Sequence, residues 1–402
     1  MNRKLAVAAV VCTAVAALAM AGCSSDLPDT GSGGTSPTSG AKDAAKSEFF
    51  DQAEYERQLK FRSAKAVDLD GDNSQFKPWQ QALDPKLVDT AKFAKPGGGY
   101  HLCFSNASVD NPWRQVGWKT MQEEVKLHPE ITKFSVLDAE AKDDKQISDI
   151  QSFASQGCSA LIVSPNTTAT LTPAVEAACK TGVPVIVFDR GVKTNCPVTF
   201  IHPIGGFAFG ADGAEFLKEK VPSGGKVLAL RILPGVDVLE QRWAAANEIF
   251  AGSGLKVVGV EFTDGDAAKT KSIVNDYIQR EGKIDGVWMD AGATAVAAVE
   301  AFQDAGAALP AIVGEDQQDF LRMWAKDGLT AVAPTYPTYQ WRTPVIAALR
   351  ILQGKQVPQE WVLPQPKVTQ DTLQNFIKED MPPLHYAMCG CDQMPGYPQP
   401  WK

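Results

Sequence analysis

Histidine is scarce in this 402-residue chain. His101, His128, His202 and His385 show no HExxH or other metal-ligand spacing, which argues against a histidine-built metal site. Basic charge is also in deficit, with 39 Lys and Arg against 47 Asp and Glu. A general nucleic-acid binder needs a basic surface to release counterions, so that class is set aside. No CxxC pair exists, which removes the commonest zinc spacing. No GxGxxG follows the first strand and no GxSxG elbow is present, so the dinucleotide and hydrolase readings lack their key turns. Gly205-Gly206-Phe207-Ala208-Phe209-Gly210 matches the outer glycines of a P-loop, but Ala211-Asp212 replaces the required Lys and Ser/Thr. Asp264 and Asp266 would suit a glycosidase pair only at a separation that sequence does not fix. After residue 21 no run of about 18 apolar residues occurs, so no later segment reads as a membrane span.

What is present is ordinary globular material, 44% hydrophobic and 21% charged. A wholly disordered or collagen-like chain is excluded. The length suits two to three domains or one bilobal unit. At the start, Asn2-Arg3-Lys4 is a short positive region, and residues 5–21 are apolar and rich in Ala. Met20-Ala21-Gly22-Cys23 then resembles the lipobox of bacterial lipoproteins, which implies removal of residues 1–22 and lipidation of Cys23. Acyl chains on that cysteine would anchor the protein without a spanning helix. Residues 23–46 are rich in Gly, Ser, Thr and Pro and read as a flexible tether.

Six cysteines remain after Cys12 and Cys23: Cys103, Cys158, Cys179, Cys196, Cys389 and Cys391. An even number in an exported chain suggests disulfides. Cys179 and Cys196 are the favoured pair, because both fall at the same end of one βαβ unit. Cys389 and Cys391 are too close for good local geometry, so the tail is expected to reach another cysteine. Free buried thiols are the alternative.

Residues 47–98 read as an N-terminal extension, partly helical, with Phe49, Phe50, Ala53, Tyr55, Leu59 and Phe61 among charges. Asp68-Leu69-Asp70-Gly71-Asp72-Asn73 resembles half a calcium loop but fails the EF-hand template at Asn73 and Trp79, so a solvated acidic turn is preferred. After Lys95-Pro96-Gly97-Gly98-Gly99, short apolar strands alternate with amphipathic helices as far as Gln353. That alternation predicts an α/β protein with parallel sheets covered on both faces, and the number of units predicts two doubly wound lobes. Ligands would bind at the carboxyl ends of the strands, between the lobes.

The strand ends carry Asn111-Pro112-Trp113-Arg114, Asp189-Arg190, Glu240-Gln241-Arg242-Trp243, Asp264-Gly265-Asp266, Asp290-Ala291, Glu315-Asp316-Gln317 and Thr335-Tyr336. Carboxylates and amides match hydroxyl pairs, arginine offers a planar fork, and aromatic rings cover C–H faces, so the set suits a polyhydroxylated ligand. Each Asp or Asn taken alone suits a helix cap equally well.

With Asn111-Pro112-Trp113, Val183–Arg190 (VPVIVFDR) and Val313-Gly314-Glu315-Asp316, the chain resembles the type I periplasmic sugar-binding proteins of the ribose-binding kind. These are the receptors of ABC importers. The resemblance covers about residues 99–380. It implies a three-crossover hinge joining lobe 1 (99–202 plus 337–365) to lobe 2 (203–336 plus 366–380), with 381–402 as an extra tail. It also implies ligand contacts from Asn111, Trp113, Asp189, Arg190, Arg242 and Asp316. Arg114 stands where the family often has a second aromatic, Ala291 where an amide is expected, Gly265-Asp266 where an aromatic is expected, and Thr335-Tyr336 where a Gln is expected. Trp243, Trp288, Tyr336 and Trp341 are candidate replacement rings, though such a ring is more often simply core. Arg114, Asp266, Asp290 and Tyr336 thus complete the expected ligand set.

The expected function is non-enzymatic. A lipid-anchored receptor on the outer face of the bacterial membrane captures a monosaccharide, sugar alcohol or small polyol by hinge closure and passes it to an ABC permease and ATPase. The alternative is a receptor presenting a sugar or furanosyl signal to a membrane sensor. Neither a cofactor, a metal nor nucleic acid is expected, and the protein is expected to act as a monomer. Related repressors carry a DNA-binding headpiece where this chain has its export signal.

Overall fold

Val185–Phe188 is buried along its whole length, as expected of a strand covered on both faces of a parallel sheet. The same applies to Ala160–Ser164 and Gly286–Met289. In the computed structural model, which describes residues 49–71 and 77–402, such strands build two six-stranded sheets. Residues 1–22, Cys23, the tether and Asp72-Asn73 of the acidic turn lie outside the described residues. No helix among the described residues is long and apolar enough to cross a membrane.

In chain order the sheet strands are β1 (Tyr100–Asn106), β2 (Ile131–Asp138), β3 (Ala160–Ser164), β4 (Val185–Phe188), β5 (Thr199–Pro203), β6 (Lys226–Arg231), β7 (Lys256–Phe262), β8 (Gly286–Met289), β9 (Ala311–Val313), β10 (Ala331–Pro334), β11 (Glu360–Leu363) and β12 (Lys367–Val368). The first sheet runs β11-β5-β4-β3-β1-β2 and is wholly parallel. The second runs β7-β6-β8-β9-β10-β12, parallel except for the antiparallel edge β12. The helices are α1 (Gln52–Phe61), α2 (Pro112–Lys126), α3 (Asp143–Ser155), α4 (Thr168–Lys180), α5 (Gly206–Lys220), α6 (Asp237–Ala251), α7 (Ala267–Glu281), α8 (Ala295–Asp304), α9 (Gln318–Asp327) and α10 (Thr343–Leu352).

The chain crosses between sheets after β5, after β10 and after β11, and the crossings bond to one another. The Gly205 N–H donates to Gln365 Oε1 at 2.8 Å, and Gln365 Nε2 donates back to the Gly205 carbonyl. Thr335 donates to the Pro366 carbonyl and Tyr339 to the Pro364 carbonyl. These groups lie outside both ladders, so each crossing satisfies its neighbour's backbone.

The N-terminal extension packs against this hinge. Its Leu87-Val88 pairs with Val357-Pro358, and Leu83 donates to the Val362 carbonyl. On α1, Arg57 ion-pairs with Glu360 of β11, while Arg62, just after the helix, reaches Asp212 and Glu215 of α5. One short helix therefore touches both lobes. Hydrogen bonding from His202 and Arg57 holds the Glu360 carboxyl down at about 2. Of the acidic turn, Asp68 accepts the Asp70 N–H and Asp70 pairs with Arg350.

Three disulfides join Cys103 to Cys158, Cys179 to Cys196, and Cys389 to Cys391. The last corrects the expectation that the tail would bond a distant cysteine. Gly390 takes the left-handed conformation, which bends the chain tightly enough for the two sulfurs to meet.

Helices α5 and α6 pack unusually close, since a Cβ on Gly210 would fall 1.9 Å from the Arg242 carbonyl oxygen. Gly210→Ala is expected to push α6 outward and lower stability by about 1–3 kcal/mol, read as a lower denaturant midpoint. An unchanged midpoint would show that the helices separate without cost.

Candidate functional site

Helix α2 begins where β1 ends. Asn111 caps it by accepting the Arg114 N–H at 3.0 Å, and Pro112 occupies the first turn, where its missing N–H costs nothing. This start aims Trp113 and Arg114 across the carboxyl edge of the first sheet. Arg114 donates to Asp189 at 2.8 Å, both side chains nearly fully buried. Asp189 sits just after β4 with φ +70°, a left-handed conformation rare for a residue with a side chain. Tyr336, from the second crossing, donates to the Asp189 carbonyl at 3.3 Å. Trp113 donates from Nε1 to the Tyr336 carbonyl at 2.6 Å, with its ring 5.6 Å from that of Tyr336. Arg190 donates to the Asn166 carbonyl, and burial beside Arg114 lowers its pKa.

The second lobe answers with Arg242 on α6. Its guanidinium lies 3.9 Å from the Phe209 ring centroid and 5.0 Å from that of Tyr336, and it donates to the Asp290 carbonyl. Glu315, after β9, faces Arg242 at 3.5 Å. Glu315 also accepts the Gly292 N–H and the Tyr386 hydroxyl. Burial raises the Glu315 pKa and Arg242 opposes that rise.

Between these groups of the two lobes lies an open cleft of about 400 Å³. Asn111, Trp113, Arg114, Asp189, Arg190, Arg242 and Tyr336 line it. Three other expected contacts do not. Asp266 is exposed at the start of α7, where it accepts the Lys269 N–H at 2.6 Å; the helix-cap reading holds there, while Asp264 and Gly265 reach the cavity. Asp290 is fully buried behind the wall, accepting from Ile232 and facing Arg231. Asp316 is turned to the tail and accepts the Met388 N–H at 2.6 Å. Its neighbour Glu315 takes the cleft position instead. Of the other candidate rings, Trp288 and Trp341 are wholly buried core, and Trp243 packs on Trp288.

Sequence reasoning also missed the apolar stretch Ile232–Leu239 and Tyr386. Nothing local to Tyr386 signals a site. Two other concavities flank Glu360, but they lie at the amino ends of β5 and β11, opposite the strand ends that form ligand sites in this architecture.

Two parallel sheets, a bonded three-crossing hinge and a polar cleft at the strand ends define a two-lobed binding protein. The family model described as the periplasmic binding protein domain matches residues 102–356, and the chain belongs to this non-enzymatic family. The ribose import binding protein of Bacillus subtilis (strain 168) is 26% identical over 275 residues, covering 67% of this chain and 89% of the relative. Among solved structures, the arabinose-binding component from Shewanella sp. ANA-3, bound to L-arabinofuranose, superposes with TM-score 0.61 at 22% identity. That match covers 68% of this chain and 93% of the other. The fructose-binding periplasmic domain of a hybrid two-component system superposes with TM-score 0.60 at 22% identity, covering 69% and 92%.

Burial pushes the Asp316 carboxyl up to about 7 from 3.8, and the nearby Glu315 adds to the rise. A folded-state pKa above the unfolded one gives stability that is full below about pH 4 and lost as pH rises through 7. Asp290, also pushed up to about 7 by burial, has the same sign. Asp316→Asn keeps an acceptor for Met388 and removes the titration. Thermal unfolding at pH 5 and pH 8 is expected to show the variant gaining on the native protein as pH rises, by on the order of 1–3 kcal/mol. A difference independent of pH would reject this account of Asp316.

Proposed function

We propose that this protein is the solute receptor of an ABC importer and closes its lobes over a monosaccharide, sugar alcohol or similar small polyol. The observation that carries this reading is the cleft. Its lining sets three arginines against four carboxylates, and burial favours the neutral form of one of these, Glu315. A near-balanced lining disfavours a charged guest, while paired forks and carboxylates offer donors and acceptors to adjacent hydroxyls. Trp113 and Tyr336 supply ring faces for C–H surface. The volume falls within the range of small-molecule sites, about 300–1,000 Å³. Asn111, Trp113, Arg114, Asp189, Arg190, Arg242 and Tyr336, joined by Glu315, are the proposed contacts.

Ligand touching both lobes favours the closed state by its added contacts there. The similarity to import binding proteins supports delivery to a permease and ATPase. The resemblance of residues 20–23 to a lipobox supports a lipid anchor on Cys23 and an extracytoplasmic position. The likeness to a two-component sensor domain keeps a second reading in view, presentation of the bound sugar to a membrane sensor. Co-purification with a permease rather than a kinase would separate the two.

The test is a thermal-shift panel of D-ribose, L-arabinose, D-galactose, D-fructose and myo-inositol. A ligand at about a hundred times its Kd stabilises by about 2.7 kcal/mol. One sharp hit is expected, weakened at least tenfold by Asp189→Asn with folding retained. Silence across the panel from folded protein would sink the polyol reading.

A further inference from the structure

The family match ends at residue 356, yet a segment beyond it supplies part of the cleft wall. Tyr386 is buried and lines the cavity, and its hydroxyl donates to Glu315 Oε2 at 3.2 Å. Glu315 is the carboxylate that faces Arg242. The backbone around Tyr386 is fixed to lobe 2 by a short antiparallel bridge to Gln317. The Gln318 N–H donates to His385 at 3.0 Å, and the Ala387 N–H donates to Asp316 at 2.9 Å.

The segment then crosses the hinge. The Tyr339 N–H donates to the Met388 carbonyl, and Arg342, at the head of α10, donates to the Gly390 carbonyl at 2.6 Å. It ends on lobe 1, where Trp401 Nε1 donates to Thr120 of α2 at 3.1 Å. Met381, Met394 and Trp401 form an apolar cluster there with Val116 of α2. Residues 381–402 are therefore a strap fastened to both lobes, and it passes through the site on the way.

We propose that this strap is an integral third component of the binding site and that Tyr386 is a specificity-determining residue. The inference rests on the polyol reading above. With its proton committed to Glu315, the Tyr386 oxygen keeps lone pairs that accept from one hydroxyl of a bound sugar. A ligand lacking that hydroxyl would leave the acceptor unpaired in a dry site, which binding sites of this type reject strongly.

Two measurements on the full chain test it. Hydrogen exchange on sugar-free native protein should show the Ala387 and Met388 amides protected like those of β9. Exchange at free-peptide rates would overturn the strap whatever the ligand. Calorimetric titration with whichever panel sugar binds should show Tyr386→Phe weakening affinity about 5- to 20-fold. The variant should also lose the native preference for that sugar over one of its monodeoxy analogues. Equal affinity and equal preference in the two proteins would overturn the role of Tyr386 while leaving the polyol reading intact. If no panel sugar binds native protein, the polyol reading fails and the recognition role fails with it; the exchange data still decide whether the strap is part of the fold.

Discussion

Three chain crossings tie the two sheets together, and each leaves backbone groups that neither ladder can satisfy. Gly205, Gln365, Thr335, Pro366, Tyr339 and Pro364 answer one another's needs. This mutual bonding makes the hinge a defined object and not three loose loops. It also fixes which strand ends face each other. Most side chains lining the cleft inherit their position from that arrangement, since all but the edge strand β12 run parallel and present their carboxyl ends to the same gap.

The cleft concentrates charge out of water, and the pairing of that charge governs its character. Arg114 with Asp189, and Arg242 with Glu315, are pairs divided between the lobes, one to each. A buried pair contributes little net stability, but removing one member leaves a desolvated charge and costs about 3–5 kcal/mol. The left-handed backbone at Asp189 adds a local cost that the surrounding bonds must offset. Such features are at home in a site kept ready for a polar guest, whose hydroxyls can join bonds already in place. Both additions to the family domain bear on the same hinge. The N-terminal helix links β11 to α5, and the C-terminal strap links α9 to α2.

Much of this was legible from residue pattern because the responsible physics is local. Buried runs such as Val185–Phe188, and the Asn111-Pro112 start of α2, announce strand and helix without tertiary help. Strand ends rich in Asp, Arg and aromatics pointed to the cleft. Neighbours proved harder to separate. Glu315 and Asp316 are adjacent carboxylates after one strand, and which one enters the cavity depends on Met388, far along the chain, claiming Asp316. Asp264 and Asp266 divide in the same way, one reaching the cavity and one capping a helix. Strand β11 was hidden because it lies after α10, beyond the regular alternation of strands and helices, and it finds its place only beside β5.

By itself the sequence determined the alternation of strands and helices, the two-lobed α/β architecture and the location of the cleft at strand ends. Hydrophobic period, capping and chain chirality act over a few residues and leave their mark in order along the chain. Only the tertiary structure decided which side chains face one another across the gap, that Cys389 bonds Cys391, and that a tail outside the family domain brings Tyr386 into the site. The disulfide depends on the left-handed turn at Gly390, and the other two depend on contacts between residues far apart in sequence, where a rotation of one residue exchanges a buried cap for a cavity wall.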